Sequence, residues 1–174
     1  NGLIYVGNND GVLEFDGDRW RLIPVANKTV VRSLAVDAAG RIYVGAVGEL
    51  GVLEPDPSGK MRYVSWLDRL PPEARGFADV WRTYTTPRGV LFQAFTHLFR
   101  ISPTRVEVWR PSTAFHLSSW TGDRFFIREV SRGLLELAGE ELKLAPGGER
   151  FAEEKIYALL PWEGRWSDLH GTDS

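Results

Sequence analysis

The sequence predicts an all-β protein made of β-propeller blades, each a set of four short strands. Three observations predict it. A short hydrophobic strand ending near a glycine recurs along the chain. Each copy is followed by the same succession of further strands. No stretch of eleven residues sustains a helical period.

The recurring anchor is Leu3-Ile4-Tyr5-Val6-Gly7. It returns as Arg41-Ile42-Tyr43-Val44-Gly45, and in degraded form as Val90-Leu91-Phe92-Gln93-Ala94 and Arg124-Phe125-Phe126-Ile127-Arg128. From Ile4 through Ile42 and Leu91 to Phe125 the spacings are 38, 49 and 34 residues. These bracket the roughly 40–50 residues of a blade once loop lengths vary. A second strand follows near a glycine: Gly11-Val12-Leu13-Glu14, Gly51-Val52-Leu53-Glu54, Leu98-Phe99-Arg100-Ile101 and Gly133-Leu134-Leu135-Glu136-Leu137. The third is Trp20–Ile23, Met61–Val64, Val106–Trp109 and Leu142–Leu144. The fourth, leading into the next anchor through a turn such as Asp37-Ala38-Ala39-Gly40, is Val31–Val36, Val80–Tyr84, Phe115–Trp120 and Ile156–Leu160.

Such strands are rich in β-branched and aromatic residues and bounded by Gly, Pro, Asp and Ser, which is the all-β signature. The segment from Leu67 to Phe77 comes closest to a helix, and Pro71-Pro72 cuts it short. It reads as an exposed, solvated insertion on the face that carries the start of the innermost strands. Solenoids of similar period carry a helix or a single strand per repeat, whereas radial stacking accommodates four strands. With the innermost strand named A and the outermost D, the blades cover about residues 2–25, 30–66, 77–110 and 114–145. A strand at 155–160 starts a further blade, so residues 1–174 read as a single partial propeller domain. In the tail, Leu169-His170-Gly171-Thr172 resembles another strand B, while Trp166-Ser167-Asp168 breaks the alternation.

Two arrangements remain open, a small ring of four blades and an open piece of a larger ring. The larger ring is favoured because the terminal blades lack polar capping. Leu3, Tyr5, Leu13 and Phe15 at one end, and Leu135, Leu137 and Leu144 at the other, are expected to include residues on bare faces. The start at Asn1, inside a strand and without an initiator Met or signal peptide, likewise suggests a piece of something longer.

A formal charge of −2 with interspersed acids and bases offers neither a nucleic-acid stripe nor a polybasic membrane patch. No apolar run reaches the roughly 18 residues of a membrane span. With no cysteine, thiolate metal sites and cysteine nucleophiles are excluded. The three histidines, His97, His116 and His170, lack partners at metal-ligand spacing, and neither Ser118 nor Ser119 sits in a nucleophile elbow. Gly45, Gly48 and Gly51 echo a dinucleotide loop but have no helix after them. Asp10, Glu49 and Asp79 are the acids that would have to pair for glycoside hydrolysis. The expectation is no metal, no cofactor and no catalysis. Trp20, Trp66 and Trp109 lie on or just after the outer strand and read as packing. Arg32, Trp81 and His116 share one column near the start of strand A, where a cation and aromatic rings would suit a sugar or organic anion. Blade-to-blade packing is the alternative role of that column.

The run Val31 to Leu53, with Asp37-Ala38-Ala39-Gly40, Ile42-Tyr43-Val44-Gly45 and Gly51-Val52-Leu53, resembles the two-component regulator propeller repeat. The first blade matches it from Ile4 to Leu13. The third lacks both glycines, with Ala94 and His97 near those places, and the fourth keeps Gly133-Leu134-Leu135. The resemblance implies a periplasmic or extracellular sensor, usually a ring of seven blades, joined to the remaining blades and to downstream signalling domains of the same polypeptide. It implies a small-molecule or carbohydrate ligand. A cytoplasmic location stays open, as do a protein-interaction scaffold and, third, a glycoside-active enzyme.

Overall fold

The structure, a computed structural model, describes residues 2–121, 123–162 and 165–168. They form strands and short 3-10 turns. The first sheet is three-stranded: β1 (Ile4–Asn8), β2 (Gly11–Phe15) and β3 (Trp20–Pro24). Three four-stranded sheets follow. They comprise β4 to β7 (Val31–Val36, Ile42–Ala46, Glu49–Pro55, Met61–Ser65), β8 to β11 (Val80–Thr86, Gly89–Ala94, Leu98–Ile101, Val106–Trp109) and β12 to β15 (Phe115–Thr121, Arg124–Glu129, Gly133–Ala138, Glu141–Leu144). A pair, β16 (Leu159–Trp162) and β17 (Arg165–Asp168), closes the described chain. Every pairing is antiparallel between sequence neighbours, the meander that a propeller blade requires. The chain divides into two compact units, Asn1–Arg110 and Pro111–Ser174.

In the first unit, sheet two lies between sheets one and three. Its residues Ile42, Val44, Ala46 and Leu53 pack on Val12 and Ile23 of sheet one. Tyr43, Leu50 and Val52 pack on Val90, Phe92, Phe99 and Ile101 of sheet three. The innermost strands come close: Ser33 Oγ donates to the Val80 carbonyl at 2.8 Å and meets Thr83 Oγ1 at 2.8 Å. Gly45 permits this approach, because a Cβ there would stand 2.5 Å from Ser33 Oγ and 2.6 Å from Val80 Cγ1. Away from this contact, the connection between β7 and β8 fills the space between the sheets.

That connection corrects the sequence reading. It is not an exposed insertion, since Leu70, Ala74 and Phe77 are buried in the core between sheets two and three, with Trp66 and Leu67 packed against them. Two 3-10 turns, Leu67–Arg69 and Pro72–Ala74, put its apolar residues inward and leave Asp68, Glu73 and Arg75 to solvent. It runs on the side of the β9–β10 turn: Arg110 Nη2 donates to the Glu73 carbonyl at 2.6 Å, and Phe77 meets the His97 ring. Gly48, in the β5–β6 turn, donates to the Ala78 carbonyl.

Two registers also differ from the repeat as read. The β4–β5 turn sets Val36 opposite Ile42, whereas the β8–β9 turn sets Thr85 opposite Val90. Val90, not Leu91, is therefore the counterpart of Ile42. A one-residue slip exchanges the faces of a strand, which explains why Phe92 points toward sheet two as Val44 points toward sheet one. In the next strand Gly7 pairs with Val12 and Gly45 with Leu50. The counterpart of Gly11 is thus Glu49, and the two Gly-Val-Leu runs sit two residues apart in the ladder.

Sheet one presents rows Ile4–Phe15–Trp20 and Val6–Leu13–Leu22 on the face away from sheet two. Ile4, Val6, Trp20 and Leu22 there are 52%, 42%, 54% and 44% exposed, and Leu3 is exposed as well. Leu13 and Phe15 are half-buried on this face, while Tyr5 belongs to the opposite one. In the second unit, Phe126 and Leu134 of sheet four are covered by Ala145, Phe151, Ile156 and Leu159. At that end Leu144 is exposed, whereas Leu135 is fully buried and Leu137 half-buried. Ile156 serves in this core rather than in a ladder, so the strand read at 156–160 begins at Leu159. The strand after it is Arg165–Asp168, the segment whose alternation looked broken. Leu169–Thr172 lies outside the described residues.

Candidate ligand-binding site

A β-bulge places each residue of the predicted column. The register of the innermost strand shifts between Val31 and Ser33, between Val80 and Arg82, and between Phe115 and Ser118. Arg32, Trp81 and His116 are the residues, or among the residues, that these shifts set out of the ladder. Val31, Val80 and Phe115, immediately before them, are buried and anchor the strand. A bulge leaves its extra residue unpaired and re-aims its side chain, so the column has a structural cause.

Arg32 and Trp81 come together at one corner. Arg32 Nε donates to Asp79 Oδ1 at 2.6 Å, and its guanidinium carbon stands 5.0 Å from the centroid of the Trp81 ring. Trp81 meets Phe95 edge-on at 5.7 Å and 61°. Asp79 is held by its bridge to Val47, and Phe95 sits at the β9–β10 turn. Among the described residues Arg32 Nη1 and Nη2 make no hydrogen bond, and the buried Trp81 Nε1 has no partner. Phe95 is 42% exposed. With Arg32 and Asp79 side chains 37% and 21% exposed, the pair contributes at most about 1 kcal/mol. Its consequence is orientation: a planar cation is fixed with one edge free beside two aromatic rings.

His116 belongs to the second unit, on β12. Burial pushes its pKa below the ordinary histidine value, and the charges of Arg128 and Lys155 push in the same direction. The imidazole is therefore neutral at neutral pH.

The three acids weighed for hydrolysis are occupied differently. Asp10 is exposed in the β1–β2 turn, and Asp79 is paired with Arg32. Glu49 is 1% exposed, accepts from Ser65 Oγ at 2.8 Å, and among the described residues has no cation within ion-pair distance. Among the described residues its Oε2 and the neighbouring Tyr63 hydroxyl are buried without hydrogen bonds. Burial raises the Glu49 pKa against the opposing Ser65 bond, with a smaller push from Asp68. A raised folded-state pKa means that folding favours the protonated acid. Its stabilising effect is complete below the ordinary carboxyl pKa and lost as pH rises through the raised value. Glu49→Gln is expected to be more stable than the wild type near pH 7 by about 1–2 kcal/mol, with the gap closing near pH 4. Urea denaturation of both proteins across that range checks it. A gap independent of pH would exclude titration of Glu49 as its cause.

His97 is likewise structural, stacked on Phe99 at 5.3 Å and accepting from Arg110 Nε at 3.1 Å. Among the described residues no group of three or more His, Asp or Glu is placed to hold a metal ion. His170 lies outside them. No described helix is long and apolar enough to cross a membrane.

Sequence reasoning missed Asp79 as the clamp of Arg32, and it missed Phe95. The signal for Phe95 was a bulky apolar residue beside Thr96 in a hairpin turn, where small polar residues are usual. Two open clefts also went unread, both at the opposite end of the sheets, by the β4–β5 turn. One, of about 790 Å³, lies between sheets one and two, lined by Tyr5, Glu14, Arg21, Ala38, Lys60 and Met61 among others. The other, of about 440 Å³, lies between sheets two and three.

No family model matches the chain, and no curated protein sequence matches it. Among solved structures it is similar to a crystal structure of a protein of unknown function from Bacteroides caccae, with a TM-score of 0.58 at 12% identity. The match covers 93% of this chain and 64% of the other, so the chain spans under two thirds of that protein's length. At that identity the likeness establishes the fold alone: an all-β chain of antiparallel, repeated sheets.

Proposed function

We propose that this chain is the ligand-sensing part of a bacterial signal-transduction receptor, a segment of a larger, about seven-bladed propeller outside the cytoplasmic membrane. It acts by binding rather than by catalysis. The observation that carries the binding role is Arg32, held by Asp79 and Trp81 with its Nη edge unengaged beside the exposed Phe95. Such a corner accepts an anionic group with a ring stacked next to it, as in a sugar acid. The bare apolar face of sheet one and the greater length of the similar protein support the larger ring. The repeat resemblance supports the sensor role and the compartment.

A thermal-shift screen comparing glucuronate and galacturonate with their neutral sugars tests the site. Sugar acids are expected to stabilise the protein, and Arg32→Ala and Trp81→Ala each to weaken that effect at least about tenfold. Stabilisation unchanged in both variants would remove the corner from the site.

The face of Ile4, Val6, Trp20 and Leu22 favours a second reading, a scaffold that packs against another protein. The sugar-acid screen separates the two, since a scaffold of this kind gains no stability from sugar acids and instead holds its partner protein through a face that Trp20→Asp abolishes.

A further inference from the structure

The cleft between sheets two and three holds cationic groups that the Arg32 corner does not use. Asp37, Arg41, Tyr43, Trp66, Arg69 and Thr85 are among the residues lining its 440 Å³. Asp37 is saturated. Its Oδ1 accepts from the backbone N–H groups of Ala39 and Arg41, and its Oδ2 accepts from Arg41 Nε at 2.7 Å and the Tyr43 hydroxyl at 3.0 Å. The Nη1 and Nη2 of Arg41 make no hydrogen bond among the described residues. Among the described residues Arg69 has no carboxylate within ion-pair distance. Its guanidinium lies 4.6 Å from the centroid of the Trp66 ring, and its Nη2 donates to the Ser102 carbonyl. Its Nε and Nη1 make no hydrogen bond among the described residues.

The arrangement is fixed before any ligand arrives. Trp66 is wedged between Tyr43 at 5.6 Å and Phe92 at 6.3 Å, so the surface under Arg69 does not yield. The tie to Ser102 immobilises the other edge of the fork. An arginine half-buried with no counter-charge is costly unless an anion shares its site. The contrast with the neighbouring cleft is informative. There Arg21 gives Nε and Nη2 to Glu14 at 2.9 and 2.7 Å and Nη1 to the Met61 carbonyl, so that arginine is spent. Both clefts carry one surplus positive charge, but in the neighbouring one it rests on Lys60, whereas between sheets two and three it rests on guanidinium groups with unengaged nitrogens, and Pro87, Val90, Ile101 and Pro103 supply apolar walls. The volume suits a small molecule.

We infer that this cleft is a second binding site, independent of the Arg32 corner, for a small carboxylate with a flat apolar body. The carboxylate bridges the free edges of Arg41 and Arg69, and the body lies along the apolar walls.

The test is an NMR titration of the whole chain with benzoate and, separately, with inorganic phosphate, read on the Nε–Hε resonances of Arg41 and Arg69. Both resonances are expected to shift saturably with benzoate, and phosphate to bind at least about tenfold more weakly because it has no apolar body. Arg69→Gln and Arg41→Gln each weaken benzoate binding by about tenfold or more. Arg62→Gln, which removes the same charge from the exposed outer strand, leaves it unchanged. The proposal is overturned by non-saturable shifts, by phosphate binding as tightly as benzoate, by unaltered affinity in Arg69→Gln, or by an equal loss in Arg62→Gln. Should circular dichroism show Arg69→Gln unfolded, Arg41→Gln and the wild-type resonances decide the matter alone.

Discussion

Replacing Gly51 by alanine is expected to destabilise the protein by about 3 kcal/mol or to prevent folding. Gly51 has no left-handed backbone to protect. What it protects is space. A Cβ there would overlap the Val64 carbonyl oxygen on the paired strand, which cannot move without breaking the β6–β7 ladder. It would also stand 2.8 Å from the Tyr63 hydroxyl oxygen and 2.9 Å from Cε2 of the same ring, which lies across the glycine. Tyr63 in turn packs against the core between sheets one and two, so pushing it outward opens that core. Gly76→Ala is the control, because a Cβ at Gly76 meets nothing within 4 Å and its φ is not left-handed. It is expected to stay within about 0.5 kcal/mol of the wild type. Urea midpoints of the two variants compare them directly. Equal midpoints would show that sheet two relaxes around the new methyl group and that the glycine is dispensable.

Gly51 also marks where the sequence stopped being legible. Strand identity was readable because alternating Ile, Tyr, Val and Leu bounded by Gly, Asp and Pro has one interpretation. Register was not. Gly11-Val12-Leu13 and Gly51-Val52-Leu53 look like copies, yet the hairpins pair Gly7 with Val12 and Gly45 with Leu50. The two glycines answer different needs. Both sit against a carbonyl oxygen of the paired strand, of Ile23 and of Val64, but Gly11 adopts φ 146° at the start of its strand as well, whereas Gly51 has no such φ and also makes room for a cross-strand tyrosine. A string of letters does not distinguish a conformational glycine from a steric one. The connection at 67–77 failed for a related reason. Its prolines and charges read as solvated loop, but Leu70, Ala74 and Phe77 recur every third or fourth residue, and the 3-10 turns put all three inward.

For the candidate site, the column was legible and the partners were not. Arg32 and Trp81 align because both follow a buried valine at a bulge, a local feature that spacing preserves. Asp79 and Phe95 reach the same corner from a connection and a hairpin turn, 47 and 63 residues after Arg32, through the packing of sheet three on sheet two. The cleft with Arg41 and Arg69 depends on two sheets and a connection together. Nothing local in the sequence reveals that Asp37 is saturated and Arg69 is not.

Glu107→Ala is expected to be the most damaging substitution at a charged residue, costing about 3–5 kcal/mol. Arg100 and Glu107 are cross-strand partners on β10 and β11, with Nε to Oε2 at 2.6 Å and Nη2 to Oε1 at 2.7 Å. Their side chains are 7% and 13% exposed, and the Arg100 guanidinium also lies 5.2 Å from the Trp109 ring centroid. Removing the carboxylate strands a buried cation whose fork loses both bonds at once. Arg105 stays in solvent, with its side chain 58% exposed, and offers no compensation because it carries the same sign. The cost belongs to the orphaned charge rather than to the pair, so removing both charges is far milder. The double variant Arg100→Met with Glu107→Leu keeps the volume without the charge and is expected within about 1 kcal/mol of the wild type. Added salt should not rescue Glu107→Ala, because a buried group is poorly screened. Chemical denaturation of the singles Arg100→Met and Glu107→Leu and of the double gives the coupling energy. A Glu107→Ala protein within about 1 kcal/mol of the wild type would mean that water reaches Arg100 on its own and that the pair is a surface contact.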